Sequence, residues 1–522
     1  MTGTTLTTLL DAGDPHRPFA IDAGTAYSAA RFERLVQATT GWLQAHGIGR
    51  DDRVAIWLVN RIEWLALLFA LERLGATAVA VNTRYRSTEV QYLLARSKAK
   101  MLVMQPRFRG IDFPTVLAGI DATALAALEQ IAVLDEPPDP PARWLGRPVA
   151  HFDATDRSGE AVRPPIPAPV AVADPDRLLI LYTTSGTTSG PKLVMHTGRT
   201  LVGHAIDVAH AHGFGQAGAA LLAALPLCGT FGLTGALAAI AAKALVVMLD
   251  AFDEQTAIEL IRRHAITHLY GGDDMYRRLL EATGEPFPFA SARVFGLATF
   301  SPGATDLAAR GIARGLPLLG LYGSSEVQAL FSLQSPSLPT EARLAGGGRP
   351  ASAQAAVRIR DLSNRQIAPI GHSGEIEIYA PYRFTGYLDE PQATANAIDA
   401  DGFFRTGDVG HLRDDGSFVY ETRLGDVQAW RVSRQSGRDR ADDQDPGRRG
   451  RRGGRGRGHC RRHACGGLRR AGRRQRTGRG RVAGCHPPAG RRLQGAGPSL
   501  VHRRAAHDPQ CQWHQGAARQ TA

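Results

Sequence analysis

The stretch Tyr182–Met195 reads YTTSGTTSGPKLVM, follows the apolar run Leu178–Leu181, and gathers Gly, Ser and Thr around one lysine, Lys192. In such a loop, bare backbone N–H groups, the hydroxyls of Thr184, Ser185, Thr187 and Thr188, and the Lys192 ammonium converge on one point. That arrangement cradles polyphosphate. It is not a Walker A loop, because Gly186 and Gly190 are four apart and Pro191 precedes Lys192. A flexible Ser/Gly linker has the same composition, so the loop alone leaves both readings open. Glu326 ends LYGSSE, Leu321–Glu326, after the apolar strand expected at Leu316–Leu319. A carboxylate there sits on the carboxyl edge of a sheet, where ligands bind and a magnesium ion could be held; a solvated strand-end cap is the plain alternative. Asp408 ends DGFFRTGD, Asp401–Asp408, which by itself reads as a β-turn rich in Gly and Asp.

Taken together these stretches resemble one family. TSGTTSGPK, Thr184–Lys192, is similar to the phosphate loop of the adenylate-forming superfamily, which comprises acyl-CoA synthetases, luciferases and peptide-synthetase adenylation domains. It departs from the usual loop in placing Ser189 where the family has Gly. LYGSSE matches YGxTE with Ser325 for Thr, and DGFFRTGD resembles GWFxTGD. SGEIEIYAP (Ser373–Pro381) and FTGYLDEPQAT (Phe384–Thr394) precede it and ETRLGD (Glu421–Asp426) follows, in the family's order.

The resemblance covers roughly residues 20–427, several ordered motifs rather than one. It implies that Thr184, Ser185, Gly186, Thr187, Thr188, Gly190 and Lys192 hold the phosphates of ATP, with Tyr322, Gly323, Ser324 and Ser325 also on the nucleotide. Thr187 and Glu326 would be the magnesium pair and, with Lys192, the catalytic set. Asp408 would accept from both ribose hydroxyls, Arg423 would be a second ribose contact, and Asp426 a hinge. In the family's LPxFHxxG loop an aromatic and a His border the acyl pocket. Cys228 and Gly229 stand there, next to Phe231, which either opens the pocket to an extended or bulky acyl chain or leaves a local repacking around Phe231. Gly271, Gly272 and Asp273 also depart from the usual sequence.

The implied reaction joins ATP and a carboxylic acid, fatty or other acyl, into an acyl-adenylate and pyrophosphate. Coenzyme A then takes the acyl group as a thioester. Activation of an aryl or amino acid is the alternative within the superfamily.

The elements needed to position these groups follow from periodicity. Phe32, Leu35, Val36, Thr39, Trp42 and Leu43 recur at helical spacing and Gly47 supplies a stop, so a helix leads into a strand at Arg53–Leu58. Helix at Glu63–Leu74, strand at Ala76–Val81, helix at Glu89–Arg96 and strand at Met101–Met104 continue an α/β layered sheet. The prolines between Pro137 and Pro169 read as a surface connection. A second α/β unit is expected from helical material at Thr200–His212, the loop Leu225–Leu233, strand Ala244–Leu249, helix Glu254–His264 and strand Thr267–Tyr270. The uncharged run Gly218–Ala242 is interrupted by Pro226, Gly229, Gly232 and Gly235, so it reads as buried loop, helix and strand rather than a membrane span. The fold class is thus α/β, a large N-terminal domain of layered α/β subdomains with a small β-rich subdomain, over residues 1–427.

Residues 428–522 differ in kind. The 522-residue chain carries +13, but from Gln428 onward 24 Arg, no Lys and 5 acidic residues give +19, which leaves −6 for residues 1–427. Four of the five cysteines lie in this tail and only Cys228 outside it, so no disulfide framework is indicated and a reducing cytoplasm is expected. The N-terminus lacks the basic and apolar regions of a secretory signal. Without Ile, Phe, Tyr, Met, Lys, Glu or Asn, the tail cannot build a core.

Three readings of the tail compete. An RNA-binding Arg/Gly segment, part of a nucleotide-binding scaffold, lacks interleaved aromatics beyond Trp430 and Trp513. A zinc site from Cys460, His463, Cys465, Cys485 and His486 lacks paired spacing. The third is a reading-frame slip. Read one nucleotide later, codons 428–440 permit KLGGFLVSPAEIE, codons 492–497 permit AYKVP, and codons 508–521 permit TPSANGTKVQRDKL, all late landmarks of the family in order. On that reading the family's catalytic lysine spans the codons of Gln515 and Gly516 and is absent, and the usual small α+β C-terminal domain does not form. A small-molecule acid is then the expected partner, with membrane contact only through an acyl substrate and no obligatory nucleic acid.

Overall fold

Strand Arg53–Trp57 shows how the layers are made. Its side chains alternate, Val54 and Ile56 entering one buried cluster and Ala55 and Trp57 another, so both faces of its sheet are covered. The computed structural model describes residues 5–10, 14–135, 142–152, 173–184, 191–284, 286, 289–298 and 304–425.

A nine-stranded sheet runs in the order Gly386–Tyr387, Leu193–Thr197, Leu178–Thr183, Thr77–Ala80, Arg53–Trp57, Met101–Met104, Gln130–Val133, Arg147–His151, Arg143–Trp144. Its middle is parallel and its two ends are antiparallel. A thirteen-stranded sheet starts with parallel strands Pro18–Asp22, Leu245–Met248, Ala220–Ala223, His268–Gly272, Val294–Ala298 and Leu318–Ser324, with Thr25–Ser28 antiparallel at its edge. From Leu318–Ser324 onward it turns antiparallel through Gln328–Leu333, Gly347–Pro350, Phe418–Arg423, Phe404–Leu412, Gly374–Tyr379 and Ala356–Arg360. The β-rich part is therefore joined to the second α/β layer by continuous hydrogen bonding.

The helices between the sheets are the most apolar. Helix Ile62–Leu74 buries twelve of its thirteen residues and helix Thr230–Ala241 nine of twelve, as expected of helices covered all round. Helices facing solvent, such as Glu254–Arg263 and Asp273–Thr283, bury one stripe each, Ala257, Ile258 and Ile261 in the first and Tyr276, Leu279 and Leu280 in the second. Asn60 joins the layers. Its buried amide donates to the carbonyls of Ala223 (3.0 Å), Leu225 (2.8 Å) and Leu249 (3.1 Å) and accepts from Leu227 N–H (2.8 Å).

Most expected elements are present to within a residue or two. The differences have local causes. The Pro-rich connection contains strands Arg143–Trp144 and Arg147–His151, and the expected loop Leu225–Leu233 is already helical from Thr230. Strand Leu318–Ser324 extends through LYGS instead of ending before it. The uncharged run 218–242 forms strand Ala220–Ala223 and a twelve-residue helix, and among the described residues no helix is long and apolar enough to cross a membrane. Residues 428–522, with every expectation for the tail, lie outside the described residues.

Candidate active site

Strand Leu178–Thr183, which leads into the Ser/Thr/Gly loop, pairs antiparallel with strand Leu193–Thr197, which follows it. Thr184 N–H donates to Lys192 O (3.0 Å) and Lys192 N–H to Thr184 Oγ1 (3.1 Å), so paired bonds pinch the loop at its stem. Ser185, Gly186, Thr187, Thr188, Ser189 and Gly190 lie outside the described residues, and with them Thr187's expected metal contact. On the other edge of Leu193–Thr197 sits the short strand Gly386–Tyr387. The Lys192 ammonium lies 4.6 Å from the centre of the Tyr387 ring, a cation–π contact, and the Tyr387 hydroxyl donates to Glu326 Oε1 at 3.0 Å. Lys192, Tyr387 and Glu326 thus form one chain from loop stem to carboxylate.

Glu326 occupies the turn between Leu318–Ser324 and Gln328–Leu333. The Ser324 hydroxyl accepts from Glu326 N–H (3.2 Å) and Val327 N–H (3.4 Å), which builds the turn from its own side chain. His196 Nε2 donates to Ser325 O at 2.7 Å, which fixes its tautomer. Complete burial lowers its pKa to about 4, so His196 is a neutral strut under the Glu326 turn. Gly323 is required here: a Cβ on it would fall 2.6 Å from Ala329 Cα, in the returning strand.

Asp408 lies mid-strand in Phe404–Leu412 with Arg423 as its register partner, and the turn in DGFFRTGD is confined to its start, where Gly402 N–H donates to Asp399 O at 3.0 Å. Only 5% of Asp408 is exposed. Tyr322 O–H donates to Oδ2 at 2.5 Å. Arg423 Nε stands 3.1 Å from Oδ1 but is not aligned as a donor, and this buried oxygen has no hydrogen-bond partner among the described residues. Burial raises the Asp408 pKa, against the Tyr322 bond and the Arg423 charge, and also raises that of Tyr322. A buried acceptor left without an aligned donor costs about 1–3 kcal/mol.

Tyr322, Gly323, Asp408, Arg423 and Phe231 line one cavity of about 470 Å³. A ribose diol in this cavity would supply the aligned donor that Asp408 Oδ1 lacks. No group of three or more His, Cys, Asp or Glu that could hold a metal ion occurs among the described residues.

Of the three expected pocket residues only Phe231 lines this cavity. Cys228 is buried, with its thiol pushed up to about 11 by burial, and Gly229 caps helix Thr230–Ala241. Three structural contributors have no signal in their own sequence neighbourhood: Asn60, which holds the Leu225–Leu227 loop, His196 and Tyr387. Tyr387 does lie inside a stretch that resembles the family's.

The fold and this site define an α/β enzyme of nucleotide-dependent acid activation. The chain belongs to the AMP-binding enzyme family, which it matches over residues 11–388. It is 32% identical to indoleacetate–CoA ligase of Aromatoleum aromaticum over 396 residues, 74% of this chain and 72% of that protein. It is 28% identical to feruloyl-CoA synthase of an Amycolatopsis species over 433 residues, 79% and 77% of the two chains. The crystal structure of ATP-bound MatB from Rhodopseudomonas palustris is similar in fold, with TM-score 0.67, 24% identity, and 81% and 79% of the chains covered. The protein is an AMP-forming acid–thiol ligase by family, a class that uses ATP, Mg²⁺ and coenzyme A.

Proposed function

We propose that residues 1–427 form an adenylate-forming domain that activates a small-molecule carboxylic acid. An oxygen of the acid attacks the α-phosphorus of ATP, the bond to the bridging oxygen breaks, and pyrophosphate leaves with that electron pair. The coenzyme A thiol then attacks the acyl carbonyl of the adenylate and gives up its proton, the acyl–oxygen bond to AMP breaks, and AMP leaves with that electron pair as the thioester forms. Lys192 and the loop from Thr184 to Gly190 hold the outer phosphates, Thr187 and Glu326 hold the metal, Ser325 donates to a phosphate, and Asp408 with Arg423 holds the ribose. Mg²⁺, when bound, neutralises charge on the phosphates. Tyr387 keeps the Glu326 carboxylate beside the loop stem and His196 keeps its turn in place.

The observation that carries this reading is the donorless buried oxygen of Asp408 in a cavity shared with Tyr322 and Arg423. Calorimetry of the full chain with ATP and magnesium tests it. Saturable binding that Asp408→Ala weakens at least tenfold supports it; equal binding by both proteins overturns it. Fatty and aryl acids, added together with ATP, are the arms that decide the acid. The relatives named for indoleacetate and ferulate make aryl acids as strong a candidate as the fatty acids expected from sequence.

We also propose that the chain holds ATP but forms adenylate poorly. Read one nucleotide later, the codons for residues 428–440, 492–497 and 508–521 permit the late family landmarks, the family's catalytic lysine among them.

A further inference from the structure

Two tyrosines of one segment hold the stem of the Ser/Thr/Gly loop from outside. Tyr85 precedes helix Ser87–Ser97, and Tyr92 lies on that helix, seven residues further on. The Tyr85 hydroxyl is hydrogen bonded to Thr183 Oγ1 at 2.6 Å, and the Tyr92 hydroxyl donates to Pro191 O at 2.7 Å. Thr183 and Pro191 immediately precede Thr184 and Lys192, the pair whose own bonds pinch the loop. Each tyrosine therefore grips one side of the stem, one residue from the pinch.

The helix that carries Tyr92 is itself well fixed. Its Val90, Leu93 and Leu94 are buried in the same cluster as Leu181 and Leu193 of the two stem strands and Leu388. At its start Glu89 Oε2 accepts from Arg86 N–H at 3.0 Å, and Ser87 Oγ donates to Val116 O at 2.6 Å. One turn beyond Tyr92, Arg96 Nη2 stands 3.4 Å from both Leu388 O and Glu390 Oε1. Leu388 N–H in turn donates to Leu193 O at 2.9 Å. Tyr92 is 37% exposed, so its ring adds little to the core. What ties it to the stem is the hydroxyl.

We infer that Tyr85 and Tyr92 are positioning residues for the polyphosphate: they fix the two sides of the stem, and through it where the Lys192 ammonium stands relative to Thr184. This rests on the nucleotide reading of the site given under the proposed function. The hydroxyls act through Thr184 and Lys192 rather than on the nucleotide. Their loss should therefore be felt by the outer phosphates of ATP and not by the ribose held at Asp408.

Calorimetry of the full chain with ATP and magnesium, and separately with AMP, tests it. Tyr92→Phe keeps the ring and loses the bond to Pro191 O. It should weaken ATP about three- to tenfold, the worth of one ordinary hydrogen bond, and leave AMP, which lacks the outer phosphates, within about twofold of the wild type. Tyr85→Phe and Thr183→Val should each weaken ATP by a similar factor, and the double variant by no more than either one, because both remove the same bond. Thr183→Ser, which keeps the hydroxyl, should bind ATP as the wild type does. ATP affinity unchanged in Tyr92→Phe and Tyr85→Phe overturns the inference, as does an equal loss for ATP and AMP, which would make the tyrosines structural only. A double variant that loses the product of the two single effects, or a Thr183→Ser as weak as Thr183→Val, overturns the role of the Tyr85 pair. Should Tyr85→Phe not fold, Tyr92→Phe and the two Thr183 variants decide. A wild type that binds neither ATP nor AMP overturns the nucleotide reading beneath, whereas binding of both that no variant alters overturns this inference alone.

Discussion

Two buried carboxylates, Glu72 and Asp408, are alike in burial and opposite in hydrogen bonding. Each is 5% exposed, and in each burial raises the pKa. Glu72 Oε1 accepts from Leu6 N–H (2.8 Å) and Oε2 from Thr7 N–H (3.3 Å), so the chain itself supplies both donors. Asp408 receives one aligned donor, from Tyr322, and its other oxygen has only the misaligned Arg423 Nε at 3.1 Å. Burial and a raised pKa therefore do not separate a structural carboxylate from a ligand site; the missing donor does. Glu326 is a third kind, half-buried, with the Tyr387 hydroxyl on one oxygen, which suits a cation that keeps part of its water.

The largest effect should come from restoring the frame that we propose slips after the codon for Val427. If Asp408 and Glu326 hold ATP but do not stabilise charge at the α-phosphate, the chain as it stands binds without turning over. Pyrophosphate release with a panel of fatty and aryl acids should then rise more than a hundredfold in the frame-restored protein, since one cationic donor alone is worth on the order of a hundredfold or more. Equal rates would mean that residues 1–427 or the tail already supply the missing charge. Sequencing the locus is the companion check, because a shifted frame that meets early stops removes the argument.

Next in size, Asp408→Ala should weaken ATP binding by roughly ten- to a hundredfold, in line with about 1.5–3 kcal/mol for a hydrogen bond to a charged group. The loss should be similar with and without magnesium. Its thermal stability should hold or rise, because the variant removes a buried, half-satisfied carboxylate. Glu326→Gln should cost less, a few-fold, and only in the magnesium-dependent part of the binding. A Glu326→Gln loss that persists with magnesium chelated would remove the metal role.

The sequence makes one part of this comparison legible and hides the other. Between residues 29 and 104 amphipathic or apolar helices alternate with apolar strands, and each element matches its expectation because local periodicity suffices there. Asp408 is legible as well, but through the order of motifs around it, since DGFFRTGD alone reads as a turn. What local pattern cannot carry is a bond to a distant carbonyl. Asn60 reaches Ala223 across 163 residues, and His196 reaches Ser325 across 129. The second stem strand, Leu193–Thr197, escapes a sequence reading because its pairing is set at Leu178–Thr183 and Gly386–Tyr387.

The smallest effect on binding, and the control for the whole comparison, is Glu72→Gln. A carboxyl whose donors are all internal should leave ATP affinity unchanged when it is replaced by an amide, while its ionisation should still register in stability. Burial lifts the Glu72 pKa to about 7 in the folded chain from an ordinary 4.5. Between those values the native state keeps a proton that the unfolded state has released, so the Glu72 contribution is complete below pH 4.5 and is lost as pH rises through 7. Asp22, raised to about 6 by burial while its carboxylate accepts from Ile62 N–H, acts in the same direction at the acid end of that window. Melting temperature should therefore fall by a few degrees from about pH 4.5 to about pH 7.5 beyond what Asp22 alone causes. Glu72→Gln cannot ionise there and should flatten that slope. Its carbonyl can still accept from Leu6 N–H, while the amide faces Thr7 N–H, which already makes the longer of the two bonds, so the N-terminal segment stays docked. A Glu72→Gln protein with the wild-type slope would mean that Glu72 is already ionised in the fold and that burial does not set its charge. The contrast with Asp408 would then rest on the open oxygen alone.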